Sequence, residues 1–270
     1  SLWHKRGLNG PSGVLPLRTT RLALLIATAS LAALASTPLA ARGTPAKPAT
    51  PIVVEPAQGD AKAGFAAHAM VAAANPLAVQ TGLRILQKGG SAVDAAVAVQ
   101  AVLGLVEPES SGVGGGAFLL FYDAKTRKVT AYDGREVAPK GASATQFIGA
   151  DGKPLPYATA VVGGIASGVP GAIAMLEMAQ KEHGRLKWGQ LFGDAGDLAS
   201  NGFTVTGKLA RAIVSGAPQA KGEDAQAYFH KADGTPYQAG EKIVNKAYAA
   251  TLKLIAEQGS KGLLTGPVAE

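Results

Sequence analysis

No cysteine occurs in the 270 residues, and that absence removes disulfides, thiol nucleophiles and thiolate metal sites together. Histidine is scarce as well: four residues, too scattered to suggest a zinc centre. Charged residues make up only 17% of the chain against 47% hydrophobic, which excludes a disordered or collagen-like polymer. Much of the apolar fraction is alanine, so the expected core is built from small side chains, with helices set tightly on a sheet.

The formal charge of +7 is largely a property of the first 35 residues. Lys5, Arg6, Arg18 and Arg21 lie there without a single acidic residue, so the remainder carries 22 basic against 19 acidic residues, or +3. With no Lys/Arg cluster interleaved with aromatics elsewhere, no nucleic-acid partner is expected. Arg18 and Arg21 precede an uncharged run over 22–34, and Ala33-Leu34-Ala35 supplies a small-x-small cleavage pattern. Residues 1–35 therefore read as upstream residues and a signal peptide cut near Ala35, sending the protein to the periplasm or outside the cell. The run has 13 residues, short of the roughly 20 a spanning helix needs, so no stable membrane insertion is expected; an anchor extending to Ala41 is the alternative. Residues 36–51 (STPLAARGTPAKPATP) read as a linker. The sequence lacks an initiator methionine and stops straight after a helical pattern, so both ends are expected to be incomplete.

Residues 52–270 hold the globular part. Asn75-Pro76 pairs an N-cap residue with proline at the first helical position, and Gly89-Gly90 closes the helix they open. Ser91 with Asp94 has capping-box spacing and opens a second, nearly all-apolar helix up to Val106. After Glu107-Pro108 comes SSGVGGG, then FLLFY and VTAYD, two strand-like runs that predict a β-hairpin. Further helices are expected from Val169-Pro170-Gly171 to Glu182, over 188–199 and over 247–258.

Several motifs fail on closer reading. Gly112 to Ala117 fits G-x-G-x-x-G/A with Glu136 about twenty residues on, but these glycines follow a helix and enter a strand, the reverse of a dinucleotide site. Gly202 to Lys208 nearly matches a phosphate loop, yet Leu209 stands where Mg²⁺ binding needs Ser or Thr. Ser110-Ser111-Gly112 lacks the G-x-S-x-G elbow. His68 reads as a core histidine, His183 as a helix-stop residue, and Glu107 and Glu109 as solvated or capping groups flanking a proline. Arg135, in Asp133-Gly134-Arg135-Glu136, sits just past a strand. There its planar fork is well placed to meet a carboxylate, although the residues taken alone favour a plain surface arginine.

The stretches AAHAMVAAANPLAVQTGLRILQKGGSAVDAAVAVQAVLGLVEPESSGVGGGAFLLFYD, YDGREVAPKGA, GVPGAIAMLEMAQKEHGRLKWGQLF and LKLIAEQGSKGLLTG together strongly resemble the N-terminal half of γ-glutamyltransferase precursors, a match running from about Pro51 to Glu270. The resemblance implies an α+β fold: an N-terminal-nucleophile hydrolase, two stacked antiparallel sheets between helical layers, of which this chain is an incomplete part. It implies autocatalytic cutting into a large and a small subunit, and a newly exposed threonine as nucleophile with its own amine as base. The γ-glutamyl group of glutathione or a related amide would pass through that threonine to water or an acceptor amine, without metal or organic cofactor. Residue by residue, the resemblance carries over Arg135 alone, as the group that binds the α-carboxylate of the γ-glutamyl moiety. The only Thr-Thr pair, Thr19-Thr20, lies in the signal region, so the nucleophile, the oxyanion hole and the amine-binding residues are expected beyond Glu270, in the small subunit. A β-lactam side-chain acylase of the same fold and a non-catalytic secreted binding protein are the alternatives.

Overall fold

The computed structural model describes residues 64–270 except Gly216, together with the backbone of Lys5–Gly7. The signal sequence, the cut at Ala35 and the linker over 36–51 lie outside the described residues. The chain divides into two units, Ser1–Asn9 with Ala67–Glu270 and Gly10–Ala66, and every element below belongs to the first. No helix of the described residues is long and apolar enough to cross a membrane.

The capping signals act as their residue types predict. Asn75 accepts a hydrogen bond from the Leu77 amide (3.0 Å) and opens α1, Pro76–Gln87. Ser91 and Asp94 cap each other's backbones (3.1 and 2.8 Å) at the start of α2, Ala92–Val106. α2 buries nine of its residues, and it lies against α1 closely enough that a Cβ on Gly82 would stand 2.8 Å from Val99. Glycine there permits the approach. After the glycine-rich loop, β2 (Ala117–Asp123) and β3 (Lys128–Gly134) form the expected hairpin in continuous register, from Ala117 opposite Gly134 to Asp123 opposite Lys128. β1 (Lys5–Gly7) pairs antiparallel with the other edge of β3. Strand alternation sends Leu119, Phe121 and Tyr132 into the core and leaves Phe118 (67% exposed) and Leu120 (75%) on the opposite face.

Beyond β3 an antiparallel bridge joins Val137 to Val169. The excursion between them includes the single turn α3 (Tyr157–Ala160) and buries none of its residues. α4 (Ala172–His183) returns beneath the hairpin and also packs on α2. The segment expected to be one helix over 188–199 is instead a 3₁₀ turn, Trp188–Leu191, followed by α5, Gly193–Asn201. Phe192 between them keeps right-handed backbone angles (φ −102°, ψ −5°) but belongs to neither helix, ending one and capping the other. Long-range anchoring accounts for the break: Trp188 Nε1 donates to the Ile255 carbonyl (2.8 Å), and its ring meets Phe192 edge-on at 4.9 Å.

Two short strands, β4 (Phe203–Thr204) and β5 (Lys242–Ile243), pair antiparallel. Between them lie α6 (Gly207–Ile213), capped by Thr206, and α7 (Glu223–Phe229). α8 (Lys246–Gln258), capped by Asn245, packs along α5, and α9 (Lys261–Leu264) follows it. One continuous apolar cluster joins α2, α4, α5, α6, α8 and the inward face of the hairpin. His68 stands exposed before α1. This corrects its reading as a core histidine, because the apolar run around it precedes the first helix and no described element covers it.

Candidate functional site

The hairpin register brings residues distant in sequence together at one end of the sheet. Ala117 pairs with Gly134, so Gly116 on one strand's approach meets Arg135 and Glu136 on the other strand's exit. Three glycines make room for this meeting. A Cβ on Gly116 would lie 2.7 Å from Cδ of Glu136 and 2.9 Å from its backbone nitrogen, one on Gly168 would lie 2.7 Å from the Glu136 Cβ, and one on Gly134 would lie 2.6 Å from the Met175 Cβ. None of these positions accepts a side chain without movement of its neighbours.

The glycine-rich loop over 110–116 is held at both ends. At its start the Glu107 carbonyl, at the C-terminal cap of α2, accepts from the amides of Ser110 (3.0 Å) and Ser111 (2.9 Å). In the middle Gln100 donates to the Gly112 carbonyl (3.2 Å). At its end the Gly115 carbonyl accepts from the amides of Gly171 and Ala172, both at 3.1 Å, at the start of α4. Among the described residues neither serine hydroxyl bonds a histidine, and the two serine amides are used as turn donors.

Arg135 projects from the hairpin end with 72% of its side chain exposed. Its backbone is fixed from below, since the Arg135 amide donates to Asp133 Oδ1 at 2.9 Å. Arg135 Nε lies 3.5 Å from Glu136 Oε2, within ion-pair range. That oxygen is buried and, among the described residues, has no hydrogen-bond partner. A guanidinium with an open fork therefore stands beside a carboxylate packed against the glycine loop, on the rigid end of a paired strand. Chemically this arrangement can receive a carboxylate in bidentate fashion.

The family model described as Gamma-glutamyltranspeptidase matches residues 78–270. The chain belongs to the γ-glutamyltranspeptidase family. It is 39% identical over 201 residues to a glutathione hydrolase proenzyme of Bacillus subtilis, covering 74% of this chain and 34% of that protein. The chain thus spans about a third of the length of the curated relatives it matches. Among solved structures, it is similar to the Helicobacter pylori γ-glutamyltranspeptidase, with a TM-score of 0.72 and 33% identity over 77% of this chain and 59% of that one. The cephalosporin acylase of Bacillus halodurans is also similar, at TM-score 0.62 and 30% identity over 72% of this chain and 36% of that one. The α+β architecture is accordingly that of the N-terminal-nucleophile hydrolases, of which these residues form a part.

Among the other residues weighed in the sequence, His183 ends α4 against Tyr132, whose hydroxyl lies 2.7 Å from its Nε2, and stacks on Phe121 at 3.9 Å. Tyr132 also donates to Glu182 (2.9 Å). Burial, and then the Glu182 carboxylate, push the phenol's pKa up. Glu107 caps α2 as expected but is not solvated: it is 3% exposed and bonded by Asn75 and Lys208. In the sequence Glu136 stands out only as the acidic residue about twenty positions after the glycines. Its actual contact with Gly115 and Gly116 arises from hairpin register, and the signal for it was present in the pairing of AFLLFYD with KVTAYDG.

Proposed function

We propose that the complete protein transfers the γ-glutamyl group of glutathione and related γ-glutamyl amides to water or an acceptor amine. The observation that carries this reading is the placement of Arg135: an exposed guanidinium on a braced strand end, in the DGREVAP segment of a chain that belongs to this family. A fork held there fixes the α-carboxylate of the donor and so presents the γ-carbonyl at the other end of the same glutamyl skeleton to a nucleophile at a set distance.

The nucleophile in this reading is a threonine beyond Glu270, freed by autocatalytic cleavage. Its hydroxyl oxygen attacks the γ-carbonyl carbon while its own α-amine takes the proton and returns it to the departing amine. Water or an acceptor amine then attacks the γ-glutamyl ester and releases the threonine. The partner of the present residues is the small subunit of the same precursor, and the signal segment that directs export is cut near Ala35.

The likeness to a cephalosporin acylase favours one second reading, an acylase for amides without the α-amino group. The test is hydrolysis by the full-length precursor of a γ-glutamyl anilide against the matching glutaryl anilide. Preference for the γ-glutamyl compound is expected; preference for the glutaryl compound would replace the reading with the acylase one.

A further inference from the structure

The turn that launches the glycine loop is bridged by an ion pair from a distant helix. Glu107 and Glu109 flank Pro108, and Lys208, from the first turn of α6, reaches both: its Nζ bonds Glu107 Oε2 and lies 3.2 Å from Glu109 Oε1. Asn75, the cap of α1, donates to the other oxygen of Glu107 at 3.2 Å. Burial works against the charge on Glu107, but the bonds from Lys208 and Asn75 outweigh it and hold the carboxyl below its ordinary pKa. Both carboxylates in turn raise the pKa of Lys208.

The position of Lys208 has no local helical explanation. A cation in the first turn of a helix meets the positive end of the peptide dipoles, where an acidic residue is favoured, and α6 has no acidic residue there. The side chain is half exposed, at 51%, whereas Glu107 is 3% exposed. The lysine thus reaches from solvent to neutralise a carboxylate whose burial opposes its charge, and its second contact ties the Pro108 turn from outside.

We propose that Lys208 is a positioning residue for the Arg135–Glu136 site, acting through the loop over 110–116. Of the loop's anchors, those at Gly112 and Gly115 are neutral hydrogen bonds to backbone carbonyls. At Glu107–Pro108–Glu109 the Glu107 carbonyl holds the Ser110 and Ser111 amides, also without charge, and only the side-chain bridge through Lys208 depends on charge. Removing the ammonium leaves the turn on those two amide bonds, so it loosens, and the loop that packs Gly116 against Glu136 shifts with it.

This inference rests on the γ-glutamyl reading for its effect on activity, so it is tested by two measurements on the full-length precursor. Lys208→Met keeps the length and apolar stem of the side chain and removes the charge; Lys208→Arg restores the charge. Hydrogen exchange of the 110–116 amides, which requires no activity, should accelerate at least about tenfold in Lys208→Met and return toward the unsubstituted rate in Lys208→Arg. The KM for a γ-glutamyl anilide should rise roughly ten- to a hundredfold in the Met variant, the penalty expected when a site is displaced by about an ångström, with kcat less affected and recovery in the Arg variant. If Lys208→Met does not fold, Glu109→Gln opens the outer half of the bridge alone and should raise both quantities in the same direction. Unchanged exchange over 110–116 in a folded Met variant, or in Glu109→Gln if that is the variant that folds, overturns the inference. Altered exchange together with an unsubstituted enzyme inactive on γ-glutamyl amides overturns the functional reading and leaves the structural coupling standing.

Discussion

Gly116 faces the Glu136 carboxylate so directly that no side chain fits between them: a Cβ there would lie 2.7 Å from Glu136 Cδ and 2.9 Å from the Glu136 backbone nitrogen. The carboxylate could rotate aside, but the amide belongs to the chain leaving β3 and cannot. Gly116→Ala should therefore cost about 1–3 kcal/mol through overpacking and misplace the neighbouring Arg135. Thermal unfolding and anilide hydrolysis by the full-length precursor check this together. A Gly116→Ala enzyme with wild-type stability and wild-type KM would show that the close approach is not required.

Arg135→Ala should lower kcat/KM on γ-glutamyl substrates roughly 30-fold to several thousandfold, the equivalent of about 2–5 kcal/mol for losing one partner of a desolvated charge pair. Arg135→Lys should also be severely impaired, because one ammonium cannot reproduce the two parallel N–H donors of the fork. Stability should change little, since the side chain is 72% exposed in the described residues. Turnover by Arg135→Ala with unchanged kcat and KM would remove Arg135 from the binding site.

The parts of this fold that could be read from the sequence are those set by neighbours a few residues apart. Asn75-Pro76 and Ser91 with Asp94 cap the helices they were expected to cap, and the two strand-like runs FLLFY and VTAYD, joined by a polar connection, place the hairpin. The split at Phe192 was hidden because its cause is a bond from Trp188 to Ile255, 67 residues away. Glu107 looked solvated because its ammonium partner lies 101 residues on. Of the site, Arg135 is offered by the family resemblance, since a strand-end position alone suits a plain surface arginine, whereas Glu136 entered only when register set it against Gly116.

Gly104 and Tyr248 form a second close contact, between α2 and α8. The Tyr248 hydroxyl donates to the Ala101 carbonyl (2.9 Å), and a Cβ on Gly104 would lie 2.5 Å from that hydroxyl oxygen and 3.3 Å from the Gly112 Cα. Tyr248→Phe should cost about 1 kcal/mol for the lost bond. Gly104→Ala should be destabilising by about 1–3 kcal/mol, despite alanine's better helix propensity. With the hydroxyl removed the methyl gains space, so the double variant should be less destabilised than the sum, with a coupling of about 0.5 kcal/mol or more. Strict additivity in denaturant melts would mean that the two residues do not share this space.

Asp94 does more than cap α2. Fully buried, it accepts from the Ser91 amide (2.8 Å), from Gln180 Nε2 (3.1 Å), and from the amides of Arg185 (2.8 Å) and Leu186 (3.2 Å), so that one carboxylate ties α2 to the end of α4 and the segment after it. Burial opposes its ionisation, but the bonds from Ser91, Arg185, Gln180 and Leu186 together prevail and its pKa is lowered. Because the folded state then holds the proton less tightly than the unfolded chain, the stabilisation is fully present above the unfolded carboxyl pKa, near 3.9, and disappears as the pH falls through the lower folded value. Asp94→Asn keeps the shape but replaces one acceptor oxygen by a donor and removes the charge, and should cost roughly 1.5–3 kcal/mol at pH 7, the range for hydrogen bonds to a charged group. The difference between the two proteins should narrow below about pH 4, where the unfolded chain's carboxyl takes up its proton first and the native carboxylate follows only at lower pH. Urea unfolding of both at pH 7 and at pH 3.5 measures this. An equal difference at the two pH values would mean that packing, and not the charge of Asp94, holds α2 to α4.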